Sequence, residues 1–313
     1  MTTSICGVDV SSGFLDAAIG DTRHTRRVRR TPEGIADLVA FCREHDVELV
    51  AMEATGGYER LPFALLWQAG LPCAVANARQ VRRFAEALGL LEKTDRIDAG
   101  VIASFAAVRK LAPQPPAAAT QERLTALTVR LRQVTEARVG QRNQRRLVTD
   151  ATVLALIEET IAFHTHQIKE LEKAIDALLA EDPLWTALAE AFRSIGGVAG
   201  RTTVCGVLAL LPEIGTLSNK AVAKIVGLAP IANDSGKRTG KRPVRSGRAP
   251  LRTLLVCVAG IVAKHEPDFI AMRARLLAAG KPNLLIRVAI ARKLLVRLNA
   301  KARDIRNAMP QTA

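Results

Sequence analysis

Apolar residues in the first hundred positions fall into short runs separated by turn residues. Ser4 to Val10 is a compact apolar run that predicts a buried strand, and Phe14 to Gly20 and Thr25 to Arg30 follow as hairpin strands. Thr31-Pro32 then marks a helix start, with Thr31 as N-cap and Pro32 in the first helical position, and the helix runs to about Glu44. Glu48 to Ala54 predicts another strand. Leu71 to Ala76 predicts a further buried one, with helices on either side.

The pattern changes after Leu111. Leu111 to Ala119 reads LAPQPPAAA, a proline- and alanine-rich linker. Beyond it Leu124, Leu127, Leu131 and Val134 keep a 3–4–3 spacing. Ile157, Ile161, His164, Ile168, Leu171, Ile175 and Leu178 keep a 4–3 spacing over three heptads. Two such arms fit an antiparallel or intermolecular coiled coil, with His164 the one polar residue in the seam. From about Leu184 the pattern is globular and mainly helical. The segment Ile195 to Gly200 is a glycine-rich turn, which serves equally as a plain interhelix turn or as a backbone cradle for phosphate. The expected architecture is therefore an α/β domain over 1–112, a coiled-coil connector over 113–183 and a mainly α domain over 184–313. Three antiparallel strands followed by alternating helix and strand is the order of the ribonuclease H and RuvC type of fold.

Charge divides the chain further. The 313 residues carry a net +15, but residues 1–100 hold 12 lysines and arginines against 14 acids, whereas residues 201–313 hold 21 against 5. A C-terminal surplus of this size suits a polyanion, because each neutralised phosphate releases condensed counterions. Aromatic residues make up only 4%, so stacking on aromatic platforms is not the main mode of binding. Five scattered cysteines without a C-x-x-C pair read as buried thiols of a reducing cytosol. No signal peptide or bilayer-length apolar stretch is read, so a cytoplasmic, nucleoid-associated bacterial protein with no membrane partner is expected.

Four acids stand out. Asp9 ends the first strand, Glu53 ends a later one, and Asp95 and Asp98 lie three apart, so they share a helix face. Each has an ordinary reading: a turn cap, a solvated strand end, a helix N-cap, a first-turn acid facing the helix dipole. Together, in this order, they suit Mg²⁺, a hard ion that prefers oxygen ligands and that in pairs assists both the attacking and the leaving oxygen of a phosphodiester.

A second constellation lies in the basic third. Ile231 to Arg242 reads as a flexible cationic loop headed by Ser235, with Lys237, Arg238, Lys241 and Arg242 placed to hold a phosphate. Arg245, Arg248 and Arg252 extend the expected nucleic-acid contacts. Serine is a poor nucleophile unless activated, and taken alone Ser235 reads as a phosphate hydrogen-bonding group rather than a nucleophile.

Taken in order, these pieces resemble the DEDD transposases of the insertion-sequence family numbered one hundred and ten. The resemblance rests on Asp9, Glu53, the string Thr94-Asp95-Arg96-Ile97-Asp98-Ala99, Gly227-Leu228-Ala229-Pro230, Ser235-Gly236, Leu251-Arg252 and Arg292-Lys293-Leu294-Leu295. The chain departs from the family's Ile-Pro-Gly-Ile-Gly at 195–199, where it reads Ile-Gly-Gly-Val-Ala. The resemblance implies a recombinase that excises and inserts its element. It implies metal at the four acids, Ser235 as the residue that attacks DNA and becomes a phosphoserine, a structured bridge RNA that pairs with donor and target DNA, and a homo-oligomer assembled through the coiled coil. A metal-dependent junction nuclease without a covalent intermediate is the alternative.

Overall fold

Strands β1 (Ile5–Val10), β2 (Phe14–Ile19) and β3 (Thr25–Arg29) open the chain as an antiparallel meander. Helix α1 (Pro32–Glu44) follows, and its N-cap is the expected one: the Thr31 hydroxyl accepts from the Gly34 N–H at 3.3 Å. Then come β4 (Leu49–Glu53), α2 (Arg60–Gln68), β5 (Cys73–Ala76), α3 (Ala78–Ala87) and α4 (Asp95–Arg109). The sheet order is β3-β2-β1-β4-β5, with β1, β4 and β5 mutually parallel. This computed structural model describes residues 4–20, 24–90, 95–198, 200–235, 238–240 and 242–309, and the backbone alone at 95–97, 238 and 239. It divides into two compact units, Met1–Ala117 and Ala118–Ala313.

In the first unit the strands alternate cleanly between two cores. Cys6, Val8, Val50 and Met52 face α1 and α2, whereas Ile5, Leu49, Ala51 and Ala74 face α3 and α4. Burial on both faces explains why the strands read as continuous apolar runs. Gly7 sets the approach of α4 to the sheet. A Cβ built on it would lie 2.0 Å from the Ala99 carbonyl oxygen and 2.5 Å from the Ala103 nitrogen, both backbone atoms that cannot swing aside. Gly7→Ala must therefore push helix and strand apart, and the cost expected of such overpacking is about 1–3 kcal/mol. A urea unfolding midpoint unchanged by this substitution would contradict the close contact.

The second unit is helical apart from one small hairpin. Helices α5 (Ala119–Arg145) and α6 (Ala151–Ala180) pack on each other as a long helical hairpin, with Asp150 capping α6 through the Val153 N–H at 2.9 Å. The spacings 124–131–134 and 168–175–178 supply its buried residues, which run on into one core with the rest of the unit. Then follow α7 (Pro183–Arg193), α8 (Arg201–Leu210), α9 (Asn219–Val226), the two-residue strands β6 (Asp234–Ser235) and β7 (Arg238–Thr239), and α10 (Ala249–His265), α11 (Pro267–Ala278) and α12 (Asn283–Ala308). Among the described residues no helix is long and apolar enough to cross a membrane.

Two expectations are resolved by packing. The glycine-rich turn at 195–200 is tied to the protein itself, because the Gly196 N–H donates to the Glu266 carboxylate, whose second oxygen takes Arg297 at 3.0 Å. That donor, at least, already serves a protein carboxylate. The cysteines are buried as expected, with one correction. Burial raises Cys73 to about 12 and Cys205 to about 11, leaving unreactive thiols, but Cys257 is exposed. Helix α10 turns Leu251, Leu255, Val258 and Val262 inward, and that spacing puts Cys257 on the outer face.

Candidate active site

The acids of the first unit are placed by strand register. β1 and β4 run parallel with Gly7 opposite Ala51 and Val8 opposite Met52, so the next step along each strand sets Asp9 beside Glu53. Both lie on the face that α4 covers, since they continue the alternation Ile5, Gly7, Asp9 and Leu49, Ala51, Glu53. The direction of α4 brings its start to the same rim. Beyond its C-terminal end the Gln114 N–H donates to the Cys73 carbonyl at 3.0 Å, at the beginning of β5. The first turn of α4, with Asp95 and Asp98, therefore lies toward the ends of the parallel strands. Asp98 is half-buried, and for Asp95 only the backbone is described.

Register also shows an acid that the sequence reading missed. Asp16 on β2 stands directly opposite Asp9, and Arg27 on β3 stands directly opposite Asp16. Residues paired in this way share a face. The row across the sheet is therefore Arg27, Asp16, Asp9, Glu53, with the Arg27 Nε 3.7 Å from Asp16. The signal was available in principle: once Val10 and Leu15 are taken as the pair that closes the β1–β2 turn, Asp9 and Asp16 must face each other.

Carboxylates in a row on one rim have the right chemistry for a divalent ion, since they are hard, anionic oxygen donors. Among the described residues no three such groups are drawn close enough together to hold an ion.

The loop after Glu53 is held by one acid. Glu59 Oε2 accepts from the Gly57 N–H at 2.8 Å, the Thr55 N–H at 3.1 Å and the Thr55 hydroxyl at 3.3 Å. Burial pushes the Glu59 carboxyl up, but the donors from its own backbone, Gly57 and Thr55 outweigh it, and the net shift is downward. A lowered carboxyl stabilises the fold at neutral pH, and that contribution disappears as pH falls below the usual carboxylate range. Glu59→Gln is accordingly expected to lower the urea midpoint at pH 7 and to match the parent protein near about pH 3. An equal deficit at both pH values would mean that the ionised carboxylate is not what orders the loop.

In the second unit the segment that reads as a flexible loop folds as a β-hairpin. Ser235 pairs with Arg238 and Asp234 with Thr239, and a bridge between Pro230 and Val244 closes its base. Asp234 organises the turn. It takes the Gly240 N–H at 3.3 Å and the Arg242 guanidinium at 2.6 Å, so Arg242 is fixed beside the serine strand. Ser235 is exposed, and among the described residues its hydroxyl has no hydrogen-bond partner.

The other basic positions separate into two kinds. Arg245 is exposed. Arg248 instead makes a bidentate pair with Glu213, at 2.6 and 2.9 Å, and also donates to the Leu210 carbonyl, while Arg252 donates to the Ser246 carbonyl. These two guanidiniums anchor the hairpin's return leg to the helical body. Gly227 explains why the anchor is tight: it ends α9 with a φ of 79°, and an added Cβ would meet the Ser246 carbonyl oxygen at 2.1 Å. Lys237 and Lys241 lie outside the described residues, and for Arg238 only the backbone is described.

Residues 6–154 match the IS110 DEDD family model described as transposase, and residues 189–273 match the model described as transposase, IS116/IS110/IS902 family. The chain is 25% identical over 306 residues to a pilin gene-inverting protein of Moraxella lacunata, and 25% identical over 305 residues to one of Moraxella bovis, with 94% of each chain covered in both cases. Among solved structures, RuvC of Thermus thermophilus matches with a TM-score of 0.28 and 19% identity, over 35% of this chain and 98% of that one. The same RuvC in complex with a Holliday junction substrate matches with a TM-score of 0.27 and 17% identity, over 36% and 98%. The two family models, one on the carboxylate unit and one on the unit that carries the serine hairpin, establish that the chain belongs to the IS110 family of DEDD transposases, enzymes that cleave and rejoin DNA.

Proposed function

We propose that this transposase binds Mg²⁺ through Asp9, Glu53, Asp95 and Asp98 and uses Ser235 as the nucleophile of strand cleavage. The observation that carries the reading is the register of β1 and β4, which sets two acids side by side at the rim where α4 begins. Bound there, a divalent ion would supply charge neutralisation at a phosphodiester and at its leaving oxygen. The chain's own contribution in the second unit is the hairpin. It presents Ser235 on an exposed strand with Arg242 held next to it by Asp234.

Attack by the Ser235 oxygen on phosphorus would form a phosphoserine ester, release one deoxyribose oxygen as an alcohol, and give up the serine proton. One phosphoester replaces another, so the strand is rejoined by the reverse step without an outside energy source. DNA at the element ends and target, a structured bridge RNA, and a homo-oligomer built on the long helices of a 113–183 connector between the 1–112 and 184–313 domains complete the reading, for a protein working at the bacterial nucleoid.

The absence of a hydrogen-bond partner on Ser235 among the described residues favours one rival, a RuvC-like nuclease in which water attacks and the serine only binds phosphate. Incubation with DNA of an element end and Mg²⁺, followed by a denaturing gel, separates them: a protein–DNA adduct is expected, and cleaved DNA with only free ends would select the nuclease. Sequencing the nucleic acid that copurifies tests the RNA. One RNA of defined sequence is expected, whereas a random mixture removed by moderate salt without loss of activity would exclude a guide.

A further inference from the structure

The base of the serine hairpin opens on a groove of about 1150 Å³ that the proposed chemistry does not use. Its walls are the hairpin's return leg at Arg242, Pro243 and Val244, helix α11, and the first half of α12. The floor is aliphatic, from Leu228, Val244, Met272 and Val288. The rim is cationic, from Arg275, Arg292 and Lys293 and from Arg242, which is paired with Asp234, and among the described residues no carboxylate lines it. Arg275 and Arg292 are exposed and, among the described residues, make no ion pair. Two leucines at its mouth, Leu284 and Leu285, are 69% and 49% exposed, which is unusual for leucines at the start of a helix that buries Ile286 and Ile290.

An apolar floor beneath a positive rim fits a partner that is apolar on one side and anionic on the other. Duplex DNA turns its phosphates outward and keeps its bases stacked inside, so it would meet the rim and leave the floor uncovered. A single strand offers unpaired bases to the floor and phosphates to the rim at once. The protein is poor in aromatic residues, and the floor follows that composition: bases would rest on aliphatic side chains and on arginine planes.

We infer that this groove binds a single DNA strand, the unpaired stretch next to the phosphate held at Ser235. The second half of the inference, its position along the DNA, rests on the Ser235 reading; the binding itself does not. Pro230 at the groove is five residues from Ser235, a span of at most about 16 Å at about 3.3 Å per residue. That length corresponds to about five nucleotides at the duplex rise of about 3.4 Å per strand, and fewer in a stretched strand.

The test is photocrosslinking of the full-length protein to a single-stranded 20-mer of mixed sequence carrying 5-iodouracil, with peptide mapping. Attachment at Met272 or within residues 282–296 is expected, in the parent protein and equally in Ser235→Ala. Attachment only elsewhere overturns the inference. Binding measurements with the same oligonucleotide give a second readout. Leu285→Glu and Arg292→Glu, both at exposed positions, should each weaken single-strand binding about tenfold while changing affinity for the matching duplex by less than about twofold. An equal loss for duplex would reveal only general charge attraction, and tenfold tighter binding of the matching RNA would reassign the groove to RNA; either overturns the proposal. A crosslink between the 284–285 segments of two chains in place of DNA would make it a protein interface. If the groove crosslink persists but no phosphoserine adduct forms, the serine reading fails and the groove stands.

Discussion

Asp9→Asn is expected to abolish strand cleavage and, at the same time, to leave the protein as stable as before or more stable. The substitution keeps the shape of the side chain and removes one charge from a row in which Asp16, Asp9 and Glu53 stand on neighbouring strands. Like charges directly opposite across strands destabilise by about 0.2–1 kcal/mol, so relief of one such pair corresponds to a melting temperature higher by about 1–3 °C without metal. Loss of a metal ligand acts in the other direction on the reaction. If the ion supplies even about 3 kcal/mol to the transition state, cleavage falls by at least about 10²-fold. The stabilisation that Mg²⁺ gives by binding the folded state alone should also vanish, since it depends on ligand concentration over the dissociation constant. Thermal melts with and without Mg²⁺, run beside a cleavage assay, check both halves. Cleavage at the parent rate, or an unchanged Mg²⁺-dependent rise in melting temperature, would remove Asp9 from the metal site. Asp98→Asn should behave in the same way for activity, whereas Asp16→Asn would reveal whether the acid that only register exposes belongs to the same site.

Much of this was legible in the sequence, for a physical reason. A sheet covered on both faces demands continuous apolar strands, and a single acid at the end of such a strand is conspicuous, as Asp9 and Glu53 are. Thr31-Pro32 specifies its helix start through local chemistry alone, and the structure has that cap. The mixed sheet order follows from three short-turn strands and two helical crossovers, because parallel strands need long connections and antiparallel ones do not. The heptad spacing after Ile157 likewise predicted the buried stripe of α6, in Ile168, Ile175 and Leu178.

What stayed hidden depends on pairings between distant residues. Asp16 looks like an ordinary polar position in an alternating strand until register places it against Asp9. Arg248 and Arg252 read as members of a basic surface, and only the fold shows Glu213 and the Ser246 carbonyl taking them. Ile195 to Gly200 left a phosphate cradle and a plain turn equally open. The Glu266 carboxylate at the Gly196 N–H, contributed from seventy residues further on, favours the turn. The serine segment shows the same limit. Its glycines and lysines read as a loop, but Asp234 converts it into a hairpin by reaching across to Gly240 and Arg242.

Ser235→Ala is expected to eliminate the covalent protein–DNA adduct and to reduce strand cleavage by at least about 10³-fold, as loss of an essential nucleophile does. The position makes the experiment clean. Ser235 is exposed on a two-residue strand, and its side chain takes part in no hydrogen bond among the described residues, so its removal should change stability by no more than about 0.5 kcal/mol. DNA affinity should change by less than about twofold, because the charge of the hairpin is untouched and phosphate contacts dominate binding. Ser235→Cys supplies the complementary test. A thiol is more readily deprotonated than a hydroxyl, but sulfur is larger and softer than oxygen and matches the hard phosphorus centre poorly, so a slower reaction that leaves a phosphate–sulfur bond is expected, with the adduct mapping to residue 235 by mass spectrometry. Cleavage by Ser235→Ala at the parent rate, with free ends and no adduct in either protein, would assign the attack to water and leave the hairpin as a phosphate-binding element.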